Sequence, residues 1–142
     1  MQEFNENGVR FEYPDNWTLE RQDDGEGHWT VTVQSPGTAF FLVALRDAET
    51  TPAEIIDATL ETLNEEYPGV EAEDVVETFA GQPAIGHQAH FFSMDMTITA
   101  WTRAFSCADG TVLVLSQLAD MEEDEVEPEL KAMAKSFRVE SE

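Results

Sequence analysis

Short stretches in which apolar and polar residues alternate follow one another along most of the chain. This period of two residues predicts β-strands with one buried face. Turn residues, mainly proline, glycine, aspartate and asparagine, separate the stretches. The predicted strands of this kind span residues 9–13, 17–21, 28–33, 70–79, 84–94 and 96–107. The strand at 70–79 has an acidic outer face.

Two further stretches are apolar at every position. Residues 39–45 have the sequence Ala-Phe-Phe-Leu-Val-Ala-Leu, and residues 112–115 have the sequence Val-Leu-Val-Leu. A strand without a polar face is typical of the middle of a sheet that is covered on both sides. Asp109 and Gly110 precede the second stretch and predict a tight hairpin. We therefore expect both strands inside the sheet, between two covering layers.

Two segments show helical spacing of apolar residues. The first spans about residues 52–67, where Thr51 and Glu54 predict a capping box and Pro52 occupies the first helical position. The second spans about residues 127–136, with acidic residues around its start and basic residues toward its end, as the helix dipole favours. The apolar stripes consist of Ile56, Leu60, Leu63 and Tyr67 in the first helix and of Val126, Leu130, Met133, Ala134 and Phe137 in the second.

These elements predict an α+β protein. Their order is about four strands, a helix, four more strands and a helix, and hairpin connections favour an antiparallel sheet. Because two strands need cover on both faces and two helices are present, we expect an α/β/α sandwich. Its central sheet would be largely antiparallel, with about 6–8 strands. No repeat or linker divides the chain, so residues 1–142 are expected to form a single domain.

The charge of the chain limits its partners. Its 142 residues include 30 acidic and seven basic side chains, which gives a net charge of −23. Nucleic acids and anionic membranes would be repelled by such a surface. Two interpretations of the acidity remain open. One is a solubilising surface suited to a salty cytoplasm, and the other is electrostatic attraction to a protein with a basic surface.

The sequence indicates an intracellular protein. No apolar run approaches the roughly 20 residues of a membrane span. The first residues lack the basic start and apolar stretch of a secretory leader, so we expect a cytoplasmic location. Cys107 is the only cysteine, which excludes an internal disulfide, and we interpret it as a small buried apolar residue.

Residues that could perform catalysis or bind metal do not form a recognisable pattern. His87 and His90 are three apart, which on a strand places them on opposite faces, where they cannot easily share a metal ion. The acidic run at 122–125 lacks the alternating oxygen ligands of a calcium loop. No nucleophile motif and no phosphate-binding glycine loop occur. We therefore predict no catalytic residue, no cofactor and no metal, and we expect the protein not to be an enzyme.

Trp101 and Arg103 are the candidate contact residues for a partner. They share one face of the strand predicted at 96–107, together with Thr97, Thr99 and Phe105. One interpretation is packing under a helix, with Arg103 at the edge of the sheet. The other is a partner-binding patch, because tryptophan and arginine are common anchors of protein interfaces.

Four motifs are similar to those of a known fold superfamily. Residues 8–17 have the sequence Gly-Val-Arg-Phe-Glu-Tyr-Pro-Asp-Asn-Trp, and residues 79–84 have the sequence Phe-Ala-Gly-Gln-Pro-Ala. Asp109 and Gly110 precede a buried strand, and Ser-Phe-Arg-Val at 136–139 follows the last helix. Together these motifs resemble the PsbP-like superfamily, whose fold is shared with a Ran-binding import factor and bacterial domains of unknown function.

The resemblance extends over nearly the whole chain and implies a helix/sheet/helix sandwich. It also implies a non-catalytic, protein-binding role, because familiar members of the superfamily bind other proteins. We therefore expect an adaptor or a chaperone-like protein. The alternative is a small-ligand binder or an enzyme with a cleft between sheet and helix. A deep pocket lined by His87 or His90, beside a carboxylate with a perturbed pKa, would favour the alternative.

Salt distinguishes the two interpretations of the acidic surface. We expect the midpoint of thermal unfolding to rise with KCl concentration, because salt screens the repulsion among carboxylates in the folded chain. Circular dichroism melts over a series of KCl concentrations measure this. A midpoint that stays constant or falls would contradict the solubilising interpretation. Attraction to a basic partner would instead show as association that weakens with salt.

Overall fold

A seven-stranded sheet forms the centre of the fold. The structure is a computed structural model, and it describes residues 1–93 and 95–139, except for the side chain of Asp24. Two α-helices and a second, smaller sheet pack on it. The strands are β1 (Gln2–Glu6), β2 (Val9–Tyr13), β3 (Thr18–Gly25), β4 (His28–Gln34), β5 (Phe40–Arg46), β6 (Glu71–Phe79), β7 (Gln82–Ser93), β8 (Met96–Cys107), β9 (Gly110–Ala119) and β10 (Arg138–Val139). The helices are α1 (Pro52–Glu66) and α2 (Glu123–Ser136).

The two wholly apolar strands lie side by side in the middle of the large sheet. Its order is β3-β4-β5-β9-β8-β7-β6, and all neighbours are antiparallel. Val43 of β5 lies opposite Val114 of β9. The predicted number of strands, their antiparallel pairing and the central position of the two apolar strands are confirmed.

Successive residues of β5 show that the two helices cover opposite faces of this sheet. Val43 belongs to the core cluster that contains Leu130 and Met133 of α2. Its neighbour Ala44 packs in the cluster that contains Ile56 of α1. Because neighbouring residues of a strand point to opposite faces, α1 and α2 lie on the two sides of the sheet. This confirms the predicted α/β/α sandwich.

The second sheet consists of β1, β2 and β10 and was not predicted. It covers the β3–β5 side of the face on which α2 lies: the rings of Phe11 and Phe41 are 5.3 Å apart, and those of Phe4 and Trp29 are 5.0 Å apart. Phe4 is the only buried residue of β1. The alternation in β1 is therefore too weak to predict a strand, and contacts with β2 and Trp29 are what stabilise it.

The sequence predicted the start of α1 correctly but placed the start of α2 too late. α1 begins as predicted, with the Glu54 N–H donating to the Thr51 hydroxyl at 3.2 Å. α2 begins at Glu123, four residues before the predicted start, and Pro128 lies inside it. The turn before Pro128 is helical, and Val126 in that turn is buried. Among the described residues, no helix has both the length and the apolar composition that crossing a membrane requires.

Two phenylalanines provide a matched test of the core. Phe41 is fully buried at the centre of the sheet, whereas Phe92 is 68% exposed on β7. We expect Phe41→Ala to lower the free energy of unfolding by about 3–5 kcal/mol, because it leaves a cavity in a packed core. Phe92→Ala should change it by less than about 0.5 kcal/mol. Urea unfolding of both variants measures the difference, and equal losses would contradict this assignment of the core.

Candidate functional site

A groove of about 970 Å³ lies between α2 and the β6–β9 part of the sheet. Its apolar lining comes from both sides and places a half-buried tryptophan, Trp101, on the sheet side. This volume is at the upper end of the range of small-molecule pockets. The apolar lining residues are Phe79, Trp101 and Leu118 from the sheet and Leu130, Ala134 and Phe137 from α2 and its C-terminal cap.

The groove exists because α2 and the three-stranded sheet together do not cover the full width of the seven-stranded sheet on this face. α2 contacts β9 and β2, and the three-stranded sheet covers the β3–β5 side. Among the described elements, β7 has extensive contacts only with β6, β8 and α1, and α1 lies on the opposite face. Gln88 and His90 of β7 therefore remain exposed on the groove side.

The side chain of Trp101 packs against a buried arginine, Arg103. The Arg103 guanidinium lies 4.3 Å from the centre of the Trp101 ring. Arg103 is 3% exposed and donates from Nε to Glu77 at 2.9 Å and from Nη1 to the Thr102 carbonyl at 2.6 Å. The ring of Phe79 is 5.5 Å from that of Trp101. These contacts orient the indole at the groove wall.

The two predicted contact residues thus have different positions. Trp101 lines the groove, whereas Arg103 is buried beneath it and not at the edge of the sheet. Arg103 lies opposite Gly86 of β7 in an unbroken register. A Cβ at Gly86 would come within 1.8 Å of the Thr102 carbonyl oxygen, so the close approach of β7 and β8 requires glycine there. A joint role of Trp101 and Arg103 in binding remains a prediction.

A short hydrogen-bond chain lies at the end of the groove near the start of α2. The Thr99 hydroxyl donates to Asp120 Oδ1 at 2.8 Å, and His90 Nδ1 lies 3.1 Å from the Thr99 oxygen. Because the only hydroxyl proton of Thr99 points to Asp120, Nδ1 of His90 must be the donor to Thr99. Neutral His90 then keeps Nε2 as an acceptor.

His87 lies on the opposite face, as the odd spacing predicts. It is 8% exposed beneath α1, and its Nε2 lies 3.0 Å from Asp74 Oδ1. Within the described part of the chain, no three histidine, cysteine or acidic side chains are grouped as a metal site would require. Cys107, predicted to be a small buried apolar residue, packs against the core but is only half-buried.

Opposite charges mark the two ends of the groove. Asp120, Glu123 and Glu127 lie near the start of α2, and Lys131, Lys135 and Arg138 lie toward its end. Three of the seven basic residues of the chain therefore line this one groove. The helix dipole explains their place along α2, but the sequence did not show that they face a groove, because that depends on where α2 packs.

Three side chains of α2 are linked along the groove wall. Lys131 Nζ lies 2.6 Å from Glu127 Oε1, and hydrogen bonds from Lys131 and Glu123, with the charge of Lys131, lower the pKa of Glu127. The hydrogen bond to Glu127, followed by its negative charge, raises the pKa of Glu123. The hydrogen bond and the charge of Glu127 raise the pKa of Lys131.

Comparisons with known proteins show the fold. No family model and no curated protein sequence matches the chain. The solved structure of PsbP (CyanoP) from the cyanobacterium Synechocystis is 17% identical, with a TM-score of 0.60, and the match covers 98% of this chain and 92% of that one.

Two further solved structures have lower TM-scores. LpqN, involved in cell envelope biogenesis of Mycobacterium tuberculosis, is 13% identical with a TM-score of 0.55, over 92% of this chain and 82% of that one. PA94 of Pseudomonas aeruginosa, a protein of unknown function described as a putative regulator, is 15% identical with a TM-score of 0.52, over 92% and 91%. The chain therefore has the PsbP-like fold.

Removing one lysine tests the linked side chains of α2. We expect Lys131→Met to raise the pKa of Glu127, because the variant loses the hydrogen bond and the positive charge that lower it. The native shift makes the Glu127 carboxylate stabilise the fold above the unfolded-state pKa, and this contribution is lost as pH falls through the folded-state pKa. NMR titration of the glutamate carboxyl carbons measures it. Lys135→Met is the control, and an equal rise in both variants would contradict the assignment.

Proposed function

We propose that the chain is a non-catalytic protein-binding module, adaptor or chaperone-like, in which residues 1–142 act as one domain. The groove beside α2 holds an apolar segment of the partner protein, with Trp101 as the anchor. The observation that carries this proposal is the open groove itself, in which the half-buried side chains of Trp101 and Ala134 lie over buried core residues.

The composition of the groove supports a protein ligand. α2 has 14 residues, so this wall is about 21 Å long at the usual rise per residue. A length of this order fits an elongated segment. An aromatic anchor surrounded by apolar residues, with polar and charged groups at the rim, is the usual arrangement of a protein interface. The opposite charges at the two ends would set the direction of the bound segment.

The structural neighbours are consistent with a non-catalytic role. LpqN is described by its part in cell envelope biogenesis, and PA94 as a putative regulator. Neither description names a reaction. Because the identities are below 20%, the likeness is one of fold, and the partner proposed here rests on the groove itself.

A small amphipathic molecule is the second candidate ligand. The volume of the groove favours it. Two groups that line the groove also favour it: the Nε2 acceptor of His90 and the Glu123 carboxyl, whose pKa is raised by its hydrogen bond to Glu127. Displacement of a fluorescent apolar probe by small molecules, in the absence of any partner protein, would support this candidate.

Two tryptophan substitutions on α2 test the groove. Ala134 lines it, whereas Ala132 is exposed on the same helix and does not. We expect Ala134→Trp to weaken the binding of a partner isolated from native lysate by about tenfold or more, because the indole fills the groove. Ala132→Trp should bind like the unmodified chain. Titration with the purified partner measures both, and equal binding by the two variants would contradict the proposal.

Trp101→Ala separates an anchor from a core residue. If Trp101 anchors the partner, the variant stays folded and its affinity falls by about 2 kcal/mol or more, the usual cost of losing a hot-spot residue. Thermal unfolding and partner titration are measured on the same sample. Loss of stability without a separate loss of affinity would mean that Trp101 serves the core alone.

A further inference from the structure

The two edges of the seven-stranded sheet are protected to different degrees. At β3 the register shifts between Asp23 and Gly25, and Arg21 forms two hydrogen bonds to Glu6 of β1, at 2.7 and 2.8 Å. A bulge and a neighbouring element are both common devices that prevent a further strand from adding to an edge. β3 is therefore the better protected of the two edges.

Among the described residues, β6 has neither a register shift nor a strand along its outer side. Its nine residues pair with β7 in an unbroken register from Glu71 to Phe79. Seven of its nine residues are exposed, and Val76 is 79% exposed. Its outer N–H and C=O groups are therefore available to another extended chain.

The side chains of β6 indicate which kind of extended segment could pair with its outer edge. Glu71, Glu73 and Glu77 share the groove face, because alternate residues of a strand point the same way. Glu77 pairs with Arg103, whereas no partner of Glu71 or Glu73 occurs within the described part of the chain. On the other face, Asp74 pairs with His87.

A second copy of this chain would bring the same carboxylates to the edge, so charge repulsion disfavours it as the partner. If two β6 strands paired antiparallel about Val75, Glu73 of one copy would lie opposite Glu77 of the other, and both strands would bring further carboxylates. Like charges directly opposite each other destabilise a strand pair. The same carboxylates attract a strand with lysine or arginine at every second position.

We propose that β6 is a docking edge for an extended segment of a partner protein with lysine or arginine at alternate positions. The segment adds an eighth strand beside β6, and its basic side chains lie opposite Glu71 and Glu73. Glu71 and Glu73 do not line the groove beside α2, so the docking edge does not rest on the function proposed above.

The probe is a capped peptide, Lys-Val-Val-Thr-Lys-Thr-Lys, whose lysines match the glutamates of β6 in antiparallel pairing. NMR titration at low salt measures binding. We expect shifts in the amide signals of β6 and slower hydrogen exchange of its outward amides. Absence of binding, or shifts spread over the acidic surface, would overturn the proposal.

Two alternately N-methylated forms of the peptide test the backbone pairing. One form carries methyl groups on the odd residues and the other on the even residues, so each blocks the N–H groups of one edge of the peptide strand. Pairing with β6 uses one edge only, and we expect one form to lose binding and the other to retain it. Equal affinities of the two forms would overturn the proposal, because charge attraction alone does not distinguish them.

Matched charge reversals test the side chains. Glu71→Lys with Glu73→Lys should weaken peptide binding by about tenfold or more, because like charges then face each other. Glu61→Lys with Glu65→Lys makes the same change in net charge on exposed positions of α1 and should weaken it by less than about threefold. Equal effects would overturn the proposal. Ala134→Trp is expected to leave peptide binding unchanged, which separates this edge from the groove.

Discussion

Burial of β5 and β9 on both faces is the constraint on which the rest of the structure depends. The two strands pair at the centre of the sheet, and their residues alternate between the α1 cluster and the α2 cluster. Burial of apolar surface stabilises a fold by roughly 25 cal/mol for each Å² removed from water. Exposing either face of these strands to water would therefore lower the stability of the fold. One helix on each side buries only the part of the sheet that this helix covers.

The groove follows from the unequal width of sheet and cover. On the α2 face, the second sheet closes the β3–β5 side through contacts such as Phe11 with Phe41, and α2 closes the centre. The strands β6 to β8 extend beyond this cover, which leaves Trp101 at an open wall. Arg103 stabilises that wall, because its charge is paired with Glu77 and its Nη1 donates to the backbone carbonyls of His87 and Thr102.

The acidity of the chain has more than one structural role. Glu123 and Glu127 lie in the first turns of α2, where the helix dipole favours carboxylates, and Glu127 also forms an ion pair with Lys131. Glu77 and Asp74 hold buried cationic or imidazole groups of the neighbouring strands. Glu71 and Glu73 have no such internal role among the described residues, which is why the edge strand β6 is the part of the acidic surface that most suggests recognition.

Local pattern by itself determined the strands β2 to β9, both helices, the capping box at Thr51 and the two-sided burial of β5 and β9, because period and capping depend on neighbours in sequence. It also placed His87 and His90 on opposite faces, since alternation in a strand is local. Only the tertiary structure decided the rest. The pairing of β1, the early start of α2, the burial of Arg103 and the groove at Trp101 depend on contacts between residues far apart in the chain, which no local pattern records.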